Sequence, residues 1–531
     1  MSENNIAIEK EIFGHPVGLF VLFFTEMWER FSYYGMRALL VLYLISEVIG
    51  ENPGLGWSSA EAGDLYGTYT MLVYITPILG GIIADKFLGY RKAIMVGAVL
   101  MTLGHVSLAF EPMPAFYLGL GLLIIGNGFF KPNISSIVGQ LYTEKTKHKK
   151  DSGYTIFYQG INVGAFLGSI LCGYLGENFG WHWGFGLAGI FMLIGLIQFK
   201  LAQNMFGEIG LPPIGRRKVS SETIDGFVEA NNQNETPKKN EPLTKKESQR
   251  LIVVGVLAFF SIFFWAAFEQ AGTSMNIFAS KYTDRSLDGV AVTVFRYLGA
   301  LISALPVGIL TWLFLGMYKS VGSLYPKALA FTGLSVLILW GIIGYMVYDQ
   351  FQDKDPEVPA TWFQSLNALF IFTLAPLFSM LWAWLAKTKL NPNGPQKFSI
   401  GLVLLGLGFI PMVIGAEGIM AGASAGKVSM IFLTLAYLLH TMGELSLSPV
   451  GLSYVSKLSP PRLLGLMFGI WFFASAMGNK LAGFLSTYME AIAEESSMSD
   501  FFEILVIIPI VGGVLLFALS FPLKKLMHGI H

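Results

Sequence analysis

The feature that most constrains this chain is a succession of apolar runs, each about 20 residues long. A helix of that length crosses the hydrocarbon core of a bilayer and satisfies its own backbone hydrogen bonds there. Only 13% of the residues are charged, against about 25% in a soluble domain. The sequence therefore predicts an all-α integral membrane protein. We assign about fourteen spans, at 17–46, 62–84, 92–110, 114–138, 154–177, 181–201, 251–279, 292–316, 325–349, 363–387, 397–416, 427–453, 463–489 and 503–525.

A polar segment divides these spans into two groups. Residues 202–250 are lysine-rich and low in aromatic residues, which is typical of a linker. Six spans precede it in 1–201 and eight follow it in 251–531. Many transporters consist of two related bundles around a site at the middle of the membrane. The sequence thus predicts two six-helix bundles, with an inserted helical hairpin at about 288–358 in the second.

Basic residues predict the orientation. If the N-terminus is cytoplasmic, 26 of the 35 Lys and Arg residues lie in inside segments and four in outside segments. Because loops rich in Lys and Arg stay in the cytoplasm, we expect both termini there. The N-terminal segment lacks the basic region and cleavage site of a signal peptide, so the first span is expected to remain in a multi-pass protein of the cell (inner or plasma) membrane.

The first span holds four charged residues, each costing about 2.5 to 3.5 kcal/mol at mid-bilayer on insertion scales. Glu26, Glu29 and Arg30 share one helix face because they are three and four residues apart. Arg37 continues that stripe, which we interpret as facing a water-filled cavity. The alternative is a helix whose ion pairs only fix packing, although apolar residues would pack as well at lower cost.

Charged residues in other spans suggest gates. At about 1.5 Å of rise per residue, Arg37 is level with Glu269 toward the outside, and Lys131 with Glu444 toward the inside. Two pairs at different depths can close a cavity from opposite sides, as alternating access requires. A glutamate that is ionised when paired and protonated when unpaired would couple proton movement to gating. Lys480 has no evident partner by depth.

Two of these residues have alternative interpretations. Lys131 could reach the inner membrane surface with its long side chain, but neighbouring Gly and Pro residues favour a closely packed helix with the lysine in the cavity. His440 lies four residues before Glu444. It could relay a proton or form an ordinary hydrogen bond to a neighbouring helix.

Several segments resemble a known family. The stretch EMWERFSYYG at 26–35 matches the ExxERFxYYG motif of the proton-dependent oligopeptide transporters, also called the peptide transporter family. IFYQGINVGAF at 156–166 is similar to its second signature, and HTMGELSLSPVGLSYVSKLSP at 440–460 resembles its tenth core helix. GGIIADKFLGYRK resembles a loop motif of the wider major facilitator superfamily. The resemblance implies a major-facilitator-type fold and a proton-coupled symporter that imports di- and tripeptides by alternating access.

The resemblance also implies residue roles. Proton coupling would fall to Glu26, Glu29, Arg30, Lys131 and Glu444. An arginine suits the carboxylate of a peptide because its planar fork makes two hydrogen bonds. The implied gates pair Arg37 with Glu269 and Lys131 with Glu444. The implied substrate-binding residues are Arg30, Tyr33, Tyr34, Arg37, Tyr69, Lys131, Asn162, Trp265, Glu269, Asn367, Glu444 and Trp471.

Two features depart from the family pattern. Bacterial members commonly carry their extra helices between core helices six and seven, whereas here the linker stands there and the hairpin follows the seventh. Phe268 occupies a position where some members have a second acidic residue beside Glu269. Glu269 is therefore the one carboxylate expected at that position.

Transport of another solute and enzyme activity are the alternatives to peptide import. A relative with the same fold could carry nitrate or a peptide-like drug, although a cation at Arg30 and an anion at Glu269 favour a zwitterion. The seven histidines are scattered, and neither H-E-x-x-H nor G-x-S-x-G occurs. We therefore expect no enzyme activity, no metal and no cofactor besides the proton gradient. The expected partners are peptide, protons and the lipid bilayer, without nucleic acid, because topology accounts for the basic loops.

Overall fold

The computed structural model describes residues 6–212, 242–420 and 427–530. Of the predicted linker 202–250, residues 213–241 lie outside the described residues. Helices make up almost all of the described chain, which confirms the all-α prediction. The strands are short: β1 (Glu11–Ile12) pairs antiparallel with β2 (His15–Pro16), and β3 (Thr283–Asp284) pairs parallel with β4 (Val428–Ser429).

Each predicted span coincides with a helix or a pair of consecutive helices. Thirteen helical segments of the described chain are long and apolar enough to cross a membrane. The first predicted span is a 29-residue helix, Val17–Ile45. It falls outside those thirteen because of the four charges it contains. The protein is thus a multi-pass membrane protein, while its orientation stays a prediction.

Side-chain packing divides the described chain into two compact units. The first unit holds residues 6–54, 76–212 and 285–365. Its helices include α1 (Ile6–Glu9), α2 (Val17–Ile45), α4 (Tyr90–Leu108), α5 (Met113–Gln140), α6 (Lys150–Phe179), α7 (Trp181–Ala202), α10 (Gly289–Val321) and α11 (Pro326–Gln352).

The second unit holds residues 55–75, 242–284, 366–420 and 427–530. Two helices contribute to both units, α3 (Ser59–Ile83) and α12 (Trp362–Leu385). The other helices of the second unit are α8 (Lys245–Phe268), α9 (Ser274–Lys281), α13 (Gly394–Gly408), α14 (Ile410–Gly415), α15 (Met430–Leu458), α16 (Leu464–Ser486), α17 (Met489–Glu495) and α18 (Met498–Leu526).

A stripe of glycines brings α2 and α6 into close contact. The three glycines are four residues apart on α6, so they share one face. A Cβ atom at the middle one, Gly164, would clash with the backbone oxygen of Met27. Small residues at such a crossing let two membrane helices approach closely. The glycines and their nearest neighbours on α2 are Gly160 with Phe23, Gly164 with Met27, and Gly168 with Phe31.

The inserted hairpin, α10 and α11, packs within the first unit. Helix α11 lies against α7, and the Trp312 ring of α10 stacks on Phe13 with ring centres 4.1 Å apart. At the base of the hairpin, the Glu177 carboxylate accepts hydrogen bonds from Ala360 N and Thr361 N, each 2.9 Å long. Arg285 lies 3.7 Å from the same carboxylate.

The two compact units differ from the N-terminal and C-terminal halves that the sequence predicts. The hairpin follows the linker in sequence, and the sequence places it in the C-terminal half at 288–358. The structure groups residues 285–365 with the first unit instead, because their apolar and polar contacts are with α2, α6, α7 and β1. Residues 55–75, from the N-terminal half, belong to the second unit.

Candidate functional site

A cluster of three buried charges lies at the middle of α2. Arg30 Nε is 2.9 Å from Glu26 Oε1 and 2.5 Å from Glu29 Oε2. All three side chains are at most 4% exposed. The helical spacing of the three residues predicted that they share a face, and the structure brings them together through one guanidinium. One cation therefore serves two carboxylates.

Part of this cluster has no hydrogen-bond partner among the described residues. In the described part of the chain, Arg30 Nη2 and Glu26 Oε2 are buried without a hydrogen bond. Since an unsatisfied buried donor or acceptor costs about 1 to 3 kcal/mol, groups of this kind are suited to meeting a ligand or water. The Arg30 guanidinium thus keeps donor capacity beyond its ion pairs.

Tyrosines lie beside both arginines of α2. The Arg30 guanidinium carbon lies 5.8 Å from the ring centre of Tyr33, and that of Arg37 lies 5.7 Å from the ring of Tyr34. The two tyrosine rings meet edge to face at 5.2 Å. Distances below about 6 Å to a ring centre are typical of cation–π contacts. The aromatic rings thus extend the charged stripe along α2.

Helix α5 adds an amide and a cation to the cluster. Asn127 Nδ2 donates a 2.9 Å hydrogen bond to Glu29 Oε1. Lys131 lies one helical turn further along α5, and its charge is close enough to act on Glu29. The sequence reasoning missed Asn127, although its spacing of four from Lys131 places both on one helix face.

In the second unit, Glu269 lies at a break in a helical span. Helix α8 ends at Phe268, a 3₁₀ turn follows at Glu269–Gly272, and α9 begins at Ser274. Glu269 is 2% exposed, and Tyr66 Oη lies 3.5 Å from its Oε2. Breaks of this kind occur in membrane spans where the backbone lies inside protein. The sequence predicted one continuous span here and did not identify Tyr66.

Glu444, the other candidate-site glutamate of the second unit, accepts a hydrogen bond from an amide. Asn367 Nδ2 donates to Glu444 Oε2 at 2.8 Å and lies 3.2 Å from Thr441 Oγ1. In the first unit, Asn162 Nδ2 donates to the Tyr158 carbonyl at 3.2 Å. Both asparagines that we predicted as substrate ligands therefore make hydrogen bonds within their own units.

The remaining predicted aromatic residues lie in the second unit. Tyr69 and Trp471 are buried, and Trp265 is half-buried, with its Nε1 atom lacking a hydrogen bond to any described residue. Trp471 meets Phe398 edge to face at 6.1 Å. His440 is buried against Phe409, with ring centres 4.4 Å apart. Its Nε2 atom has no hydrogen bond among the described residues, and the proton-relay alternative for His440 stays a prediction.

The structure assigns a partner to Lys480. Its Nζ atom lies 2.5 Å from Asp64 Oδ1 and 2.8 Å from Thr68 Oγ1, within the second unit. The predicted gate pairs, Arg37 with Glu269 and Lys131 with Glu444, each join residues of different units and stay predictions. Among the described residues, no group of three or more His, Cys, Asp or Glu side chains could hold a metal ion.

Comparison with known proteins gives consistent matches over almost the whole chain. The sequence profile of the POT family matches residues 91–224 and 323–502. The chain is 31% identical to the peptide transporter YePEPT of Yersinia enterocolitica subsp. palearctica, across 98% of this chain and 96% of the relative. It is 32% identical to a di-/tripeptide transporter of Lactococcus lactis subsp. cremoris, across 98% of both. A mutant of peptide transporter POT, solved in complex with alafosfalin, has a TM-score of 0.75 at 30% identity, with 100% of each chain covered.

Proposed function

The chain belongs to the POT family, and from this premise we propose that it is a proton-coupled symporter that imports di- and tripeptides by alternating access. The observation that carries the proposal is the buried cluster on α2, in which Glu26 and Glu29 share Arg30. The names of the relatives, a peptide transporter and a di-/tripeptide transporter, support the same cargo.

Proton coupling follows from competition for one cation. Two carboxylates that share a single guanidinium cannot both be neutralised by it, so protonation of one strengthens the pairing of the other. A peptide carboxylate that binds Arg30 would compete with Glu26 or Glu29 for the hydrogen bonds that Arg30 donates. The glutamate that loses its hydrogen bond would then favour its protonated form. Peptide and proton would then bind together, which is the requirement for symport.

The two ends of a peptide need opposite charges. Arg30 and Lys131 of the first unit would attract the C-terminal carboxylate, helped by the Arg30 Nη2 donor that has no hydrogen bond among the described residues. Glu269 of the second unit would attract the amino group. Asn162 and Asn367 carry amides that can exchange their present hydrogen bonds for the peptide backbone.

The gates and the energy source complete the proposal. Arg37 with Glu269 would close the outer side, and Lys131 with Glu444 the inner side. The aromatic residues Tyr33, Tyr34, Tyr69, Trp265 and Trp471 would accept varied side chains by area and shape. The cycle would use the proton gradient without another cofactor and would release the peptide chemically unchanged.

Uptake into liposomes tests the proposal. A radiolabelled dialanine is supplied outside proteoliposomes with and without an inward proton gradient. We expect accumulation only with the gradient, recovery of intact dialanine from the lumen, and competition by unlabelled di- and tripeptides. Accumulation that ignores the gradient would exclude the symport assignment.

Arg30 provides the residue-level version of this test. Arg30→Lys keeps the charge but loses the planar fork, so dialanine uptake is expected to fall while the protein still folds. A dipeptide with an amidated C-terminus lacks the carboxylate. It should therefore inhibit dialanine uptake equally poorly in the wild type and in Arg30→Lys. If Arg30→Lys transports dialanine as well as the wild type does, Arg30 does not bind the carboxylate.

Cargo of another class gives a different pattern. Nitrate or a peptide-like drug is the alternative for the same fold and the same coupling. The presence of a cation in one unit, Arg30, and an anion in the other, Glu269, favours a zwitterion over a simple anion. Proton-driven uptake of labelled nitrate, without uptake of dialanine, would replace the peptide assignment.

A further inference from the structure

A cavity of about 440 Å³ lies within the second unit, at the end that the charge distribution predicts to be cytoplasmic. The last turns of α12, α15 and α18 and the first turn of α13 surround it. None of the residues assigned to peptide and proton binding lines it, although Leu445 and Ser446, which follow Glu444 on α15, do. We call it the cationic cavity, and the side chains on which the inference depends are Trp382, Lys397, Tyr454, Lys457 and Lys524.

Three lysines from three helices line the cationic cavity. Lys397 lies in the first turn of α13, Lys457 near the end of α15 and Lys524 near the end of α18. No acidic side chain is among the described residues that line it. Like charges that converge from separate helices repel one another, so an anion in the cavity would stabilise this arrangement.

Other groups in the cavity favour the same ligand. Lys397 Nζ lies 4.8 Å from the ring centre of Trp382, which fixes the position of that cation. The Tyr454 hydroxyl accepts a 3.0 Å hydrogen bond from Gly394 N, so its own hydrogen is available for an acceptor. Gly394 begins α13, whose helix dipole places partial positive charge at this end.

An apolar groove of about 300 Å³ runs along two of the same helices. Ile400 and Leu404 of α13 and Val514 and Phe517 of α18 line it. Ser399 Oγ donates to Gly513 O at 2.7 Å, which joins the two helices along the groove. We call it the apolar groove.

The groove begins close to the cavity and continues away from it. Ile400 is three residues beyond Lys397 on α13, about 4.5 Å along the axis. Phe517 is seven residues before Lys524 on α18, about 10 Å along the axis. On both helices, the apolar groove therefore lies further from the helix end, toward the middle of the membrane, than the lysines of the cationic cavity.

We propose that the cationic cavity and the apolar groove together bind one phospholipid with an anionic headgroup from the cytoplasmic leaflet. The headgroup would lie among Lys397, Lys457 and Lys524, and an acyl chain would lie along the groove. A soluble phosphate compound would use the cavity alone. The ordinary excess of lysines at cytoplasmic ends explains exposed residues such as Lys387 and Lys389, but it does not require three lysines around one cavity with an apolar groove further along the same two helices.

Native mass spectrometry of the full chain in detergent tests the proposal. Phosphatidylglycerol and phosphatidylcholine with identical acyl chains are added in separate titrations, and inorganic phosphate is added as a competitor. We expect phosphatidylglycerol to bind at least about tenfold more tightly, because each lysine near an anionic lipid contributes about fivefold. Equal binding of the two lipids would overturn the proposal. Displacement of the lipid by millimolar phosphate would show that the cavity takes phosphate alone and would also overturn it.

Matched lysine variants locate the site. The double variant Lys457→Gln with Lys524→Gln should weaken phosphatidylglycerol binding about tenfold or more. The control Lys387→Gln with Lys389→Gln removes the same charge from the loop between α12 and α13 without touching the cavity, and it should keep wild-type binding. Equal losses in the two double variants would mean a general charge effect and would reject the site.

A groove variant keeps the test decisive if the lysine variant does not fold. Val514 is 59% exposed, so Val514→Trp fills the groove without entering the core. We expect it to weaken binding of phosphatidylglycerol about fivefold or more while the headgroup selectivity of the remaining binding persists. Unchanged affinity in this variant would exclude the groove as the acyl site.

Discussion

The two units hold the glutamates of the candidate site in different ways. In the first unit, Glu26 and Glu29 lie on the unbroken helix α2 and are bridged by Arg30. In the second unit, Glu444 accepts from the neutral amide of Asn367, and Glu269 lies at a break between two helices beside a tyrosine hydroxyl. One unit thus contains its own cation for its carboxylates, whereas Glu444 has a neutral partner within its unit.

This difference suggests a division of labour. Two carboxylates that share a cation within their own unit can exchange a proton while the remaining carboxylate stays paired with that cation. A carboxylate whose partner is an amide loses less when it exchanges that partner for a cation than a carboxylate that must leave an ion pair, because only one of the two groups in the amide hydrogen bond is charged. The first unit is therefore suited to proton binding, and Glu444 is suited to a contact that forms and breaks.

Removal of the shared cation is expected to have the largest effect. Arg30→Ala leaves two buried carboxylates without their counter-ion, and breaking a buried pair costs about 3 to 5 kcal/mol. The thermal midpoint of the purified protein should fall strongly, and Arg30→Lys should recover most of the loss. If Arg30→Ala were as stable as the wild type, Arg30 would not be the counter-ion that stabilises Glu26 and Glu29 in the folded protein.

Neutralisation of a single carboxylate should abolish coupling without unfolding. One proton moved through 100 mV supplies about 2.3 kcal/mol, or roughly fiftyfold accumulation. Glu29→Gln and Glu26→Gln should each reduce accumulation of dialanine in liposomes to equality across the membrane, while counterflow exchange persists. The control Glu61→Gln, at the exposed start of α3, should accumulate normally. If only one α2 variant loses accumulation, that residue carries the transported proton.

The amide of the second unit should have a moderate effect. Asn367→Ala removes the donor to Glu444, and a hydrogen bond to a charged group contributes about 1.5 to 3 kcal/mol. We expect the KM for dialanine to rise about tenfold with little change in thermal stability. Asn479→Ala is the control, because its buried amide donates to the Ser475 carbonyl and not to a carboxylate. Equal increases in KM would mean that any lost amide disturbs this unit.

The ion pair between Asp64 and Lys480 should have the smallest effect. Both side chains are partly exposed, at 64% and 31%, and pairs of this kind contribute about 0 to 1 kcal/mol. Asp64→Asn should leave the thermal midpoint and dialanine uptake near wild-type values. A loss of uptake comparable to that of Glu29→Gln would show that this partly exposed pair is as important for transport as the buried cluster on α2.

The sequence predicted the helices well because each signal is local. Apolar runs set the spans, and spacings of three and four placed Glu26, Glu29 and Arg30 on one face of α2. The break at Glu269 escaped prediction because the apolar run continues through it. The packing of the hairpin on the first unit escaped as well, since it depends on contacts such as Phe13 with Trp312 and Glu177 with Thr361 that lie far apart in sequence.

Partners across the fold were harder to predict than the charges themselves. The sequence indicated that Lys480 needs an explanation, but its partner Asp64 is 416 residues away. Asn127 and Tyr66 were missed because nothing in the local sequence marks an uncharged polar side chain that faces a carboxylate. Their positions depend on helix contacts such as the glycine stripe between α2 and α6, which the sequence pattern alone does not align.

The turn of the hairpin is a suitable site for attaching a label to the first unit. The turn exposes Ser323, whereas the single cysteine of the chain, Cys172, is buried against Gly35. Ser323→Cys would thus accept one fluorophore or spin label selectively, with no need to remove another thiol. A reporter at that turn would follow the motion of α10 and α11 during turnover while every residue assigned to peptide and proton binding stays native.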